Sequence, residues 1–152
     1  MKAWRLPAPA KASGLSPLIN SFLAAKKAGD YLAIMAYVTP SPSHHAALQK
    51  FRNKIGQATG LATTLGYGPR FLHSTGQLHK GGGGNGLFIQ ITSDDARDLE
   101  IPGSVTRFGI LKRAQALGDM LALRNHKRRT LRFHLTKSVP RDLARLTSRA
   151  KI

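Results

Sequence analysis

The stretch Tyr31–Val38, YLAIMAYV, decides the fold. It is apolar or aromatic throughout, with Gly29-Asp30 before it and Pro40 just after it. A strand with one wet face alternates apolar and polar residues, whereas a strand covered on both faces reads as a continuous apolar run. The run therefore predicts an inner strand of a parallel sheet with helices on both sides. Working outward, LATTL at 61–65 and LFIQIT at 87–92 read as two further strands. At Thr130–Leu135, Leu131, Phe133 and Leu135 alternate with Arg132 and His134, which predicts a fourth strand with one buried face.

Helical signals fill the intervals. Ser16-Pro17 suits an N-cap followed by Pro at the first helical position. Leu18, Ile19, Phe22, Leu23 and Ala25 continue as a stripe that Gly29-Asp30 ends. Ser43 is a candidate cap for a second helix, with Ala47, Leu48, Phe51, Ile55 and Ala58 on its inner face and Gly60 at its end. Residues 71–80 read as a short helix or a structured loop. Phe108, Leu111, Leu117, Met120, Leu121 and Leu123 mark another helix face, despite Gly118 within it, and Pro140 opens a last helix carrying Leu143 and Leu146. Strands alternating with helices predict one α/β domain over residues 15–152, a three-layer sandwich with a mainly parallel sheet, behind a loose Ala/Pro/Lys-rich lead-in at 1–14. No internal repeat is evident.

The composition bounds the function. The chain has 152 residues, a size suited to a single domain, and no cysteine, which excludes disulfides, thiolate metal sites and cysteine nucleophiles. It carries 24 Lys+Arg against 7 Asp+Glu, a formal net charge of +17. From Arg107 onward only Asp119 and Asp142 oppose the basic residues. Such an excess is the footprint of a polyanion binder or simply a basic outer face. The interleaved apolar residues of 131–135 favour the second reading, because a tail built only to contact phosphates does not need a buried face. Before Asp30 there is no acid, a composition compatible with an organelle transit peptide, although Arg is scarce there. The run of apolar residues needed to span a membrane is absent from the sequence, and a cytoplasmic location is the expectation.

The most unusual passage is 66–91, GYGPRFLHSTGQLHKGGGGNGLFIQI. It follows a predicted strand, where open parallel sheets bind ligands. Arg70, His73, Ser74, Thr75, Gln77, His79 and Lys80 supply polar groups for a small anionic or hydroxylated ligand, and the glycines would let backbone approach it. The same residues also fit a structural turn with surface histidines. The glycine run lacks the Lys-Ser/Thr ending of a P-loop, and no G-x-S-x-G surrounds Ser74. His73 and His79 are six apart with no carboxylate nearby, which does not suit a metal site.

Taken together, GDYLAIMAYV (29–38), ATTLGYGPRFLHSTGQLHKGG (62–82), GLFIQIT (86–92), IPG (101–103), FGILKRAQALGDMLAL (108–123) and RTLRFHL (129–135) closely resemble, in unbroken order, the C-terminal part of bifunctional transaldolase/glucose-6-phosphate isomerases. One departure is Gly83-Gly84, where that family is expected to carry a proline. The resemblance implies the second sugar-isomerase (SIS) domain of the isomerase moiety. It implies an aldose–ketose isomerisation of a sugar phosphate, glucose 6-phosphate to fructose 6-phosphate, with neither metal nor organic cofactor. In that chemistry a histidine opens the sugar ring and a glutamate moves a proton between C1 and C2.

By this resemblance His79 is the ring-opening residue and His73 its substitute. An imidazole suits the task because its ordinary pKa lies near neutrality. Arg70, Ser74, Thr75, Gly76, Gln77 and Lys80 become substrate contacts, with Gln77 and Lys80 placed for sugar hydroxyls or enediolate charge. Lys112 and Gln115 lie on the helix that approaches the substrate in the isomerases. The only glutamate, Glu100, falls in the polar connection before Ile101-Pro102-Gly103, a poor place for a held base. The chain is also far shorter than the bifunctional enzymes. The expected partners are therefore a sugar phosphate and a companion chain carrying the rest of the isomerase, with nucleic acid and membrane not expected. The alternatives are a non-catalytic sugar-phosphate-binding module and a basic nucleic-acid-binding protein.

Overall fold

The apolar run at 31–38 does form an inner strand. In the computed structural model, which describes residues 15–136 and 138–149, β1 (Tyr31–Tyr37) is buried from Leu32 onward. It pairs in parallel with β2 (Ala62–Tyr67) on one side and β3 (Gly86–Ser93) on the other, and β4 (Arg129–Leu135) adds to β3. The sheet is all parallel in the order β2-β1-β3-β4. The lead-in at 1–14 lies outside the described residues, as do the last basic residue, Lys151, and Lys137.

Helices cover both faces, giving a three-layer α/β sandwich. On one face α1 (Leu15–Ala24), α2 (Pro42–Thr59) and α5 (Val139–Arg149) bury Ile19, Leu23, Leu48, Phe51, Ile55, Leu143 and Leu146 against Leu32, Ile34, Ile89, Ile91 and Phe133. On the other face a single 3-10 turn (Arg70–His73), α3 (Thr75–Gly81) and α4 (Phe108–Asn125) cover Ala33, Met35, Tyr37 and Phe88. Residues 71–80 are thus two short helical pieces. Burial of each large apolar side chain contributes about 1.5–3 kcal/mol, so the two layers together dominate the stability.

The start of α2 differs from the sequence pattern, while its end at Gly60 agrees with it. Ser41, not Ser43, caps α2: its Oγ accepts from the His44 amide at 3.2 Å, with Pro42 starting the helix. Proline's fixed φ and missing N–H suit that first position, which moves the cap one residue ahead of it. At the other end Gly60 adopts the left-handed conformation, φ 70°. Its N–H closes the last turn on the Gly56 carbonyl at 2.9 Å. The inner position expected for Ala58 belongs to Thr59, whose hydroxyl donates to the Ile55 carbonyl at 2.7 Å.

The larger difference is α4. Its buried residues are Gly109, Ala116, Asp119, Met120 and Leu123, while Phe108, Leu111 and Leu117 remain 51%, 41% and 37% exposed. Small residues let this helix lie close to the sheet. Ala116 is one such residue, its carbonyl accepting from Gln90 of β3 at 2.8 Å, while at Gly109 an added Cβ would meet the Asp98 carboxylate of the β3–α4 connection at 2.7 Å. Phe108, Leu111 and Leu117 consequently point outward, while Met120 and Leu123 stay on the inner side.

A buried ion pair ties the start of β1 to β4. Arg129 donates from Nη1 to Asp30 Oδ2 at 2.6 Å and from Nη2 to Oδ1 at 2.7 Å, and Nη1 also reaches the Ala25 carbonyl at 2.9 Å. The Lys27 amide donates to the same carboxylate. Hydrogen bonding from Arg129 holds the Asp30 carboxyl below its ordinary pKa, against the opposing effect of burial. A carboxylate with a depressed folded-state pKa stabilises fully above its unfolded pKa and loses that contribution as pH falls through the folded value. Asp30→Asn is therefore expected to cost about 2 kcal/mol at neutral pH. Its stability should also fall less steeply than the parent's on acidification through the carboxylate range, as urea unfolding at a series of pH values will show.

Candidate functional site

The chain leaves β1 for α2 on one face and leaves β3 for α4 on the other. Their carboxyl ends therefore diverge, and a crevice opens there of about 980 Å3. Crevices at such reversals of connection are where open parallel sheets take ligands. Val38, Thr39 and Pro40 from the end of β1 form one part of the wall, with Ser41, Pro42 and His45 of the α2 start. Tyr67 and Gly68 end β2 and lead through Pro69 to Arg70. The β3–α4 connection contributes Asp95, Arg97, Asp98 and Leu99, and α4 contributes Phe108, Gly109, Leu111, Lys112 and Gln115.

The acids in this wall are already engaged. Asp95 accepts from Lys112 Nζ at 2.5 Å and from the Thr39 hydroxyl at 2.9 Å. Burial pushes its pKa up, but these hydrogen bonds outweigh burial and hold it below its ordinary value. Asp98 Oδ1 accepts from the Gly109 amide at 2.7 Å, satisfying a first-turn N–H of α4 that has no partner within the helix. Glu100 lies outside the lining, ion-paired to Arg107 at 3.0 Å with its side chain 80% exposed. Arg70 and Arg97, by contrast, make no hydrogen bond or ion pair among the described residues, and both are exposed at the crevice mouth.

His45 and Tyr67 form a pair in the wall. Their rings stack with centroids 6.1 Å apart, and His45 Nδ1 lies 3.3 Å from the Tyr67 hydroxyl. Burial raises the pKa of Tyr67. Beneath the wall Tyr37 packs so tightly under Gly68 that a Cβ there would meet its ring at 2.3 Å. The Tyr37 hydroxyl donates to Asp119 Oδ2 at 3.3 Å, and Lys80 Nζ stands 3.9 Å from Asp119 Oδ1. Burial raises the Asp119 pKa, with Lys80 and Tyr37 opposing it.

Of the sequence-derived candidates, the structure brings Arg70, Lys112 and Gln115 to the crevice. The rest of the segment turns inward or serves its own turn. The Ser74 hydroxyl donates to the Phe71 carbonyl at 3.2 Å, and Gln77 Nε2 donates to the Leu72 carbonyl at 2.9 Å. Gly76 is buried, and an added Cβ would stand 3.0 Å from the Phe71 carbonyl oxygen. Thr75 and His73 are exposed outside the lining, and Lys80 faces Asp119.

His79 does not line the crevice. It is 5% exposed among Phe88, Phe71 and Tyr31, with ring centroids at 5.0, 6.0 and 6.1 Å, and its Nδ1 has no partner. The reason is helical geometry: α3 presents Gly76 and His79 to the sheet and turns Gln77 and Leu78 outward.

Sequence reasoning passed over His45, Tyr67, Arg97, Asp95 and Asp98. The signal that points to them is position, since each follows closely on the carboxyl end of a strand or closes it. Among the described residues no helix is long and apolar enough to cross a membrane.

No protein-family model matches this sequence, and no curated protein matches it. Among solved structures, the chain is similar to a hypothetical protein from Thermus thermophilus, with a TM-score of 0.69 and 16% identity over 91% of this chain. The match covers 39% of that protein's length. At this identity the likeness concerns the fold, the α/β sandwich described above.

Burial, and then the charge of Lys80, lower the pKa of His79. A histidine whose folded pKa is depressed supports the fold above its unfolded pKa, and that support is lost as pH falls through the folded value. In an NMR titration the His79 ring should remain neutral at the pH where a free imidazole in water is half protonated. A midpoint equal to that of the free imidazole would contradict the burial described here.

Proposed function

We propose that the chain is a sugar-isomerase (SIS)-type domain that binds a phosphorylated sugar in the crevice. On this reading it forms part of an aldose–ketose isomerase acting between glucose 6-phosphate and fructose 6-phosphate. The observation that carries the reading is the crevice itself: it lies at the carboxyl edge of a parallel sheet and holds two unpaired guanidinium groups, Arg70 and Arg97. These groups suit a phosphoryl dianion, because the guanidinium fork matches its oxygens. Lys112, held by Asp95, and Gln115 supply positioned donors for hydroxyls. The long motif at 62–82 supports the sugar-phosphate class by resemblance.

The roles then divide by access. His73 ends the same single turn that Arg70 begins and is exposed, though outside the crevice lining, so on this reading ring opening falls to His73 only once the companion chain completes the site on that side. His79 supports that turn from beneath by packing on Phe71. Asp95 and Asp98 are each held in place through Oδ1 by this chain's own donors, and on this reading the base that moves a proton between C1 and C2 comes from the companion chain. Leu99, Val105, Phe108, Ile110 and Leu111 expose a run of apolar side chains beside the crevice, with Val105 fully exposed. We assign this face to the companion. A second copy, itself at +17, is disfavoured by charge, and an acidic-rimmed surface complements Arg70, Arg97 and Arg113.

The test is a coupled assay of fructose 6-phosphate conversion, with the chain alone and with a chain carrying the rest of the isomerase. Turnover is expected only in the second case. Arg70→Gln should weaken fructose 6-phosphate binding about tenfold, the loss of one charge-assisted contact. His73→Asn should lower kcat, and His79→Asn should act on stability alone. Binding without turnover in any combination would leave a sugar-phosphate-binding module. Absence of binding would overturn the reading.

A further inference from the structure

A second, narrower cleft lies between α4 and the β3–β4 edge of the sheet. It is lined by Thr92 and Ser93 at the end of β3, by Arg132 and His134 of β4, and by Lys112 and Arg113 of α4. Lys112 also borders the main crevice, so the two are neighbours.

Tyr37 also lines the cleft, and four of the five cationic or titratable groups here have partners, Tyr37 through Asp119. Lys112 is bound to Asp95. Arg113 Nη1 stands 3.7 Å from Asp94 Oδ1, and His134 Nε2 stands 3.5 Å from Asp94 Oδ2. His134 Nδ1 is 3.0 Å from the Thr92 hydroxyl. Arg132 is the exception. Its Nε is buried without a partner, and its guanidinium makes no hydrogen bond or ion pair among the described residues. Burial lowers its pKa from the ordinary arginine value, a sign that the charge is held where solvent compensates it poorly.

An arginine so placed is unusual, because a charge withdrawn from water is normally paired. It sits on the face of β4 that meets α4, although the alternation of that strand would accept an apolar residue there. Asp94, at the exposed rim, is already shared between Arg113 and His134 and leaves Arg132 uncompensated.

We propose that this cleft binds a tetrahedral oxyanion, anchored by Arg132 with Arg113 at its rim. The anion is inorganic phosphate or the phosphoryl group of a ligand whose remainder lies in the neighbouring crevice. The guanidinium fork supplies paired donors, and the Ser93 hydroxyl adds a third from the strand end. The inference does not depend on sugar isomerisation.

The experiment titrates the full chain with inorganic phosphate at constant ionic strength while following the His134 ring by NMR. A saturable shift of the His134 signals is expected. Arg132→Gln should abolish it, and Arg132→Lys, which keeps the charge but not the fork, should weaken it about tenfold. If Arg132→Gln fails to fold, the wild-type titration and the lysine variant still decide. Fructose 6-phosphate separates the two sources of the anion. Competition with phosphate for the His134 response identifies a ligand's phosphoryl group, and independent saturation identifies a free oxyanion. A His134 ring indifferent to phosphate, or equal affinity in wild type and Arg132→Lys, overturns the proposal and leaves the cleft to solvent.

Discussion

The parallel pairing of β1 with β3 is the constraint on which the rest of the structure depends. From Tyr31↔Gly86 to Tyr37↔Thr92 the two strands run in register through the middle of the sheet. Parallel neighbours cannot be joined by a tight turn, so each strand end must feed a helix that crosses a face. β1 feeds α2 on one face and β3 feeds α4 on the other, and the helices cover both sides. That is why the inner strands are apolar throughout. It is also why a crevice exists at one end of the sheet, because two chains leaving in opposite directions cannot fill the space between them. Packing and site geometry thus share one cause.

Electrostatics completes the picture. The chain has 7 acids, and each is engaged. Asp30 holds Arg129, Asp95 holds Lys112, Asp94 serves Arg113 and His134, and Glu100 pairs with Arg107. Asp98 accepts from the start of α4, Asp119 meets Lys80 and Tyr37, and Asp142 accepts from the Thr136 amide. With the acids used in this way, the +17 surplus has no internal answer. Part of it collects beside the carboxyl edge of the sheet, where Arg70, Arg97 and Arg132 stand without partners among the described residues. A field of that sign raises the local concentration of anions, which fits a phosphorylated ligand without requiring nucleic acid.

How much of this was legible depended on whether a signal was local. YLAIMAYV read as a doubly buried strand because burial on both faces leaves no polar residue to disguise it. Gly60 read as a helix end because only the left-handed conformation was needed there. The α4 face was read correctly at Met120 and Leu123 and wrongly at Phe108, Leu111 and Leu117, because periodicity marks apolar residues without saying which of two stripes meets the sheet. Ala116 sits on the inner side with Met120 and Leu123, and Phe108, Leu111 and Leu117 were left outside. The segment 74–80 misled in the opposite way. Its polar residues suggested a binding loop, yet a seven-residue helix against the sheet must bury something, and the spacing places Gly76 and His79 there. The crevice residues His45, Tyr67 and Arg97 carry no motif. Only the strand ends identify them, and those ends are known once the sheet order is known.

The burial of His79 also bears on how the proposed chemistry is divided. A neutral imidazole enclosed by Phe88, Phe71 and Tyr31 has no route to a sugar, and desolvation disfavours the charged form that proton donation needs. What it can do is hold Phe71, and with it the turn from Arg70 to His73, against the sheet. The turn then presents a cation at one end, in the crevice, and an exposed imidazole at the other. Moving a proton between adjacent carbons further requires a base, and Asp95 is held by Lys112 and Thr39, whose hydrogen bonds lower its basicity, while Asp98 is held by the Gly109 amide at the start of α4. Releasing either one would leave Lys112 uncompensated or an amide of α4 unsatisfied. On the proposed reading the missing carboxylate therefore has to arrive from outside this chain. The side of the crevice formed by Leu99, Phe108 and Leu111 is where the exposed apolar surface gives a companion something to bind.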